Sequence, residues 1–156
     1  MSSAVKWTLW FHGECDPARA QLRSVGVILA AEGSKDARDS RSETQGPPFC
    51  YSRMLGPGED LDALLMALVL GLDLARRRGV QNLRVLTDRA WVLEHLLEPA
   101  SAAAHSSASA LFLRDRAREM FEQFEMRELL RVEERQTQDV RKLACQARKD
   151  AQTRKA

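Results

Sequence analysis

The chain is short of cysteine, of long apolar runs and of net charge, and the first two shortages each remove a class of protein. Its three cysteines, Cys15, Cys50 and Cys145, are odd in number, far apart and in no C-x-x-C spacing. Neither a disulfide framework nor a zinc site follows from such a set, and buried or free thiols are expected. No apolar run approaches the roughly 20 residues that a membrane-spanning helix needs. The N-terminus lacks a basic segment leading into a long hydrophobic stretch and a small-residue cleavage site. Cytoplasmic residence is therefore the expectation. The formal net charge is only +2, yet residues 141–156 carry Arg141, Lys142, Arg148, Lys149, Arg154 and Lys155 against Asp150. Such a basic end either contacts phosphates or is a solvated helix terminus whose cations suit the helix dipole.

What is present points to one folded domain. At 156 residues, 44% hydrophobic and 29% charged, the chain is long enough to bury a sizeable core. Val5 to His12 alternates around Trp7, Leu9 and Phe11 and reads as a strand, followed by a turn at Gly13 to Arg19. Ser24 to Ala31 and Phe49 to Leu55 read as two more strands, separated by a polar stretch from Glu32 to Pro48. Consecutive strands of this kind imply an antiparallel meander. Gly56-Pro57-Gly58 breaks the chain, and Glu59 to Arg78 has apolar residues at helical spacing, acids at its front and arginines at its end. Gly79 stops that helix, Leu83 to Thr87 returns as a strand parallel to its partner, and a short helix is expected over Arg89 to Leu97. A small, polar connector from Glu98 to Ser109 leads to an exposed helix over Ala110 to Phe124. A last strand at Arg127 to Val132 and a basic helix from Thr137 to Arg154 complete the order.

This order resembles the ribonuclease H family, and local sequence strengthens the resemblance. Ala67 to Ala75 (ALVLGLDLA), Gly79-Val80 and Leu83 to Val92 (LRVLTDRAWV) look like that family's ALIxGLxxA…GVxxLxVxxDSxLV segment. Phe11 to Pro17 (FHGECDP) resembles its FDGSCDP start, and Val140 to Ala147 (VRKLACQA) its closing ADxLAxxA. The fold implied is α/β, a single domain spanning 1–156 with a five-stranded mixed sheet, three antiparallel strands followed by parallel ones, flanked by helices.

The activity implied is hydrolysis of RNA in RNA/DNA hybrids by two divalent metals about 4 Å apart, held by hard oxygen ligands. In the family those carboxylates lie at the end of strand one, on the first helix, at the end of strand four and at the start of the last helix. The corresponding positions here hold His12, Leu64, Asp88 and Arg141. Leu64 supplies no ligand, and Arg141 is a permanent cation that repels Mg²⁺ at close range. Arg141, together with His12, is expected to neutralise Asp88. Asp88 also fits a plainer role, as a strand-end polar residue or a helix N-cap.

A rebuilt metal site is the alternative. Glu14 lies two residues beyond His12, Asp60 one helical turn before Leu64, and Asp139 two residues before Arg141. With Asp88 these acids would have to converge to hold Mg²⁺ or Mn²⁺; otherwise no cofactor is expected. Arg19, Arg23, Arg89, Arg141 and Lys142 are the candidate phosphate contacts, and Trp91 is a candidate stacking residue or a core residue. His95 and His105 read more simply as a half-buried and an exposed histidine. Three functions follow: a pseudo-nuclease binding nucleic acid or a protein, a protein-interaction scaffold, or an active nuclease with relocated ligands.

Overall fold

A computed structural model of the protein describes residues 5–16, 18, 22–32, 48–89, 92 and 108–155, without the side chains of 148 and 150–155. Strand β1 (Lys6–Asp16) places Leu9, Phe11 and Trp7 on one face and Thr8, Trp10 and His12 on the other, as strand alternation requires. It pairs antiparallel with β2 (Leu22–Ala31), which pairs antiparallel with β3 (Phe49–Pro57). After helix α1 (Asp60–Arg77), strand β4 (Asn82–Thr87) lies parallel to β1 on its other side. Helix α2 (Ala108–Glu122) leads to β5 (Met126–Arg131), parallel to β4, and helix α3 (Gln138–Lys155) closes the chain after a 3₁₀ turn at Glu134–Thr137. The sheet is five-stranded in the order β3-β2-β1-β4-β5, the mixed arrangement that the sequence resemblance implies.

The core lies between the sheet and α1. Leu9, Val25, Val27, Leu29, Leu83 and Val85 from the strands meet Leu64, Leu68 and Leu72 from the helix, all buried. Helix α1 starts with a capping box in which Glu59 and Asp62 satisfy each other's backbone N–H groups. It ends before Gly79, whose φ of 72° an L side chain would resist. On the opposite face α3 crosses β1, β2 and β3. Gly26 permits this approach, since a Cβ there would stand 2.6 Å from the Val140 carbonyl oxygen and 2.9 Å from the Ala144 nitrogen.

Several sequence expectations need adjustment. The turn expected at Gly13 is strand instead: β1 continues to Asp16, because its ladder with β2 runs on from His12↔Gly26 to Asp16↔Leu22. Gly56-Pro57 belongs to β3 rather than breaking the chain after Leu55, which an outer strand tolerates because proline's missing N–H leaves no central ladder bond unmade. Helix α2 begins at Ala108 and is not simply exposed; it buries Ala110, Leu113, Ala117, Met120 and Phe121 against α1 and the core. The expected short helix at 89–97 falls largely outside the described residues. Among the described residues no helix is long and apolar enough to cross a membrane.

Candidate functional site

The parallel strands and α3 bring the C-terminal end of β4 against the start of α3. Asp88, directly after β4, has a side chain 8% exposed. Arg141, one turn into α3, forms an ion pair with it through Nη2. Thr137 joins them: its hydroxyl oxygen stands 3.0 Å from Asp88 Oδ2 and 2.8 Å from the Glu134 carbonyl oxygen, two acceptors for its single proton, and accepts from Arg141 Nε at 3.2 Å. Arg89 Nε lies 3.7 Å from Asp88 Oδ1, and Glu134 Oε1 lies 3.8 Å from Arg141 Nη1. Burial pushes the Asp88 carboxyl up, but the Arg141 hydrogen bond and charge, helped by Thr137 and Arg89, outweigh it and hold Asp88 below its ordinary value.

The expected pairing of Arg141 with Asp88 is thus present, while the expected helper, His12, contacts Glu14 instead. His12 is 2% exposed and lies opposite Gly26, on the face that α3 covers. Its Nε2 stands 3.5 Å from Glu14 Oε2, and its Nδ1 is buried with no hydrogen-bond partner among the described residues. Thr137, by contrast, matches no motif in the sequence. Its only signal there is its spacing four residues before Arg141, one turn of helix.

Among the described residues, the acids required for a rebuilt metal site form no group of three. Asp60 and Glu14 line one cleft with Gly13, Cys15, Leu64 and Arg89. Asp60 Oδ1 accepts the Cys15 backbone N–H at 2.8 Å, which ties the start of α1 to β1. Asp88 lines a separate cleft with Arg131, Glu133, Glu134 and Gln136, and Asp139 faces a third recess beside Trp10. Among the described residues no three His, Cys, Asp or Glu side chains are grouped to hold a metal ion. The residues at the family's ligand positions do not fit a metal pair either. Leu64 is 3% exposed within the core, and the carboxylate of Asp88 is already engaged by a guanidinium.

The candidate phosphate contacts divide. Arg89 is 46% exposed and borders the Glu14–Asp60 cleft, and Lys142 is exposed on α3. Arg23 donates from Nε to the Gly56 carbonyl at 2.9 Å, with its stem against Gly58. Arg19, Trp91, His95, His105 and the side chains of Arg148, Arg154 and Lys155 lie outside the described residues. Cys15 Sγ donates to the Gly58 carbonyl at 2.8 Å. Burial, with the charge and hydrogen bonding of Asp60, pushes its thiol up to about 11, so it is protonated and weakly nucleophilic at neutral pH.

No protein-family model matches the chain, and no curated protein matches it by sequence. Solved structures do match. An N-terminal ribonuclease H domain from Mycobacterium tuberculosis, fused to maltose-binding protein, superposes with a TM-score of 0.75 at 18% identity, covering 98% of this chain and 100% of that one. Ribonuclease H1 of the halophilic archaeon Halobacterium salinarum gives 0.73 at 19% identity, covering 93% and 98%. LC11 ribonuclease H1, isolated from compost and solved in complex with RNA/DNA hybrid, gives 0.71 at 10% identity, again covering 93% and 98%. Similarity of this extent at such low identity is a likeness of architecture, and the chain has a ribonuclease H-like fold.

Proposed function

We propose that this protein is a non-catalytic ribonuclease H-like module that binds nucleic acid through its α3 side without cleaving it. The carrying observation is the Asp88–Arg141 ion pair. A carboxylate that a metal-dependent nuclease would offer to a divalent ion is instead neutralised by a side chain of the same fold. Removing negative charge from the cleft also favours a phosphate backbone, whose contacts depend on lysine and arginine. Arg89, next to Asp88, supplies an exposed cation, and Lys142 is a second exposed cation on α3. The hybrid-bound state of the structurally similar LC11 enzyme supports a hybrid duplex as the first ligand to test.

Two measurements test the reading. A labelled RNA–DNA hybrid incubated with Mg²⁺ or Mn²⁺ is expected to survive as it does with Asp88→Asn; cleavage lost only in that variant would establish an active nuclease. Binding to the same hybrid is expected to fall about 40-fold between about 50 and 200 mM salt if roughly three phosphates are contacted. A salt-independent or absent signal would instead favour a protein-interaction scaffold, for which Phe112, 68% exposed on α2, is the foremost apolar contact.

A further inference from the structure

Strand β5 is the last in the sheet, and among the described residues no strand pairs with its outer edge. Met126 and Val132 turn their backbone N–H groups inward, to the carbonyls of Gln81 and Thr87. Strand alternation therefore points the backbone groups of Arg127, Leu129 and Arg131 outward, as a row of open donors and acceptors. The central charge of this edge, Glu128, is neutralised within its own sheet, 3.1 Å from Lys6 Nζ and 3.8 Å from Arg84 Nη2. On either side of it, on the same face, Met126 is 62% and Leu130 41% exposed. Beside the start of the strand lies a hollow of about 400 Å³, lined by Asn82, Glu125, Met126, Arg127 and Glu128. An acid and a base stand at the two ends, Glu125 and Arg131, both exposed and without an ion-pair partner among the described residues.

We infer that a second copy of this chain occupies this edge, the two β5 strands running antiparallel about a dyad at Glu128. The inference is independent of the nucleic-acid reading above. A dyad there sets Met126 opposite the second copy's Leu130 and, by symmetry, Leu130 opposite its Met126, so both exposed apolar side chains are covered. These are non-hydrogen-bonded pairs, in which facing side chains lie closest. The outward backbone groups of Arg127 meet those of the second copy's Leu129 as hydrogen-bonded pairs. Glu125 faces the second copy's Arg131, so an acid–base pair closes each end of the ribbon. The second copy's Leu130 and Arg131 also arrive at the hollow beside Met126 and Glu125. The neighbouring registers that keep the faces matched set arginine against arginine, either Arg127 against its own copy or Arg127 against Arg131. The chosen register sets Glu128 against Glu128, a repulsion that Lys6 and Arg84 of each copy offset. Arg127 does not obstruct it, because its guanidinium turns back to the Glu122 and Phe124 carbonyls of its own chain. With only 6 residues in the strand, the contact belongs with weak interfaces of under about 1,200 Å².

Sedimentation of the full chain across a concentration series tests this. Wild type is expected to pass from monomer to dimer as concentration rises. Glu125→Arg and Arg131→Glu each turn both end pairs of the homodimer into like charges, and each is expected to weaken dimerisation about 10-fold. Mixed in equal amounts, the two variants present opposite charges at every end pair, so the mixture should dimerise about as tightly as wild type. Should either charge variant fail to fold, Leu130→Asp carries the test, since it removes the apolar pairs from an exposed position and should weaken dimerisation likewise. Wild type that stays monomeric up to about 1 mM would overturn the inference. A dimer that these variants leave intact, or that mixing fails to restore, would place the contact elsewhere and overturn it equally.

Discussion

At Asp88, side chains of Thr137 and Arg141 converge on one nearly buried carboxylate, and the cation among them belongs to the fold itself. Removing it should expose the cost of burying the charge. Arg141→Met, which keeps much of the stem, is expected to destabilise the protein by about 2 kcal/mol at pH 7, because a buried carboxylate loses its partner. The pH dependence has a definite sign. Asp88 has a depressed folded-state pKa, so its contribution is present above the carboxylate's ordinary pKa and is lost as pH falls through the folded value. In Arg141→Met the remaining burial favours the protonated acid, so acid relieves the variant. Urea denaturation at pH 7 and pH 3 should show the gap between wild type and variant narrowing in acid; a gap that stays constant would mean the ion pair contributes nothing to folding.

Helix α3 reaches Arg141 to Asp88 only because it can lie close on β2. The contact is backbone to backbone at Gly26, so a side chain there has no flexible neighbour to displace. Gly26→Ala is expected to cost about 2 kcal/mol or more, towards the upper part of the overpacking range. Under the proposed function it should also weaken binding to the hybrid, since the helix that carries Arg141 and Lys142 would have to lift. A shift in the thermal midpoint of less than about 2 °C would show that the sheet and helix re-seat without strain. The same docking places Trp10 beside Asp139 and separates Asp139 from Asp60 and Glu14.

For the whole molecule, the proposal that no divalent ion is needed makes a thermodynamic prediction independent of activity. A ligand present at about 100 times its Kd stabilises the folded state by about 2.7 kcal/mol, which for a domain of this size amounts to several degrees. The thermal midpoint in 5 mM Mg²⁺ is expected to lie within about 1 °C of that in EDTA. A rise of several degrees that disappears in Asp88→Asn would place an ion at Asp88 and return the protein to the metal-dependent nucleases.

Much of the architecture was legible in the residues themselves. The alternation at Trp7, Leu9 and Phe11, the helical spacing through Leu64, Leu68 and Leu72, and the positive-φ stop at Gly79 report local geometry, which neighbouring residues settle among themselves. So did the chemistry at single positions: a leucine cannot ligate a metal, whatever surrounds it. Strand ends were less legible, because the continuation of β1 to Asp16 is decided by its ladder with β2 rather than by its own polar sequence. Other features came only from the tertiary structure. Thr137 as a link between Asp88 and Arg141, Glu14 rather than Asp88 as the partner of His12, and the recess that Trp10 shares with Asp139 each join groups from different elements or depend on how those elements dock. Their geometry is set by how α3 crosses the sheet, a long-range packing outcome that helical and strand periodicity do not encode.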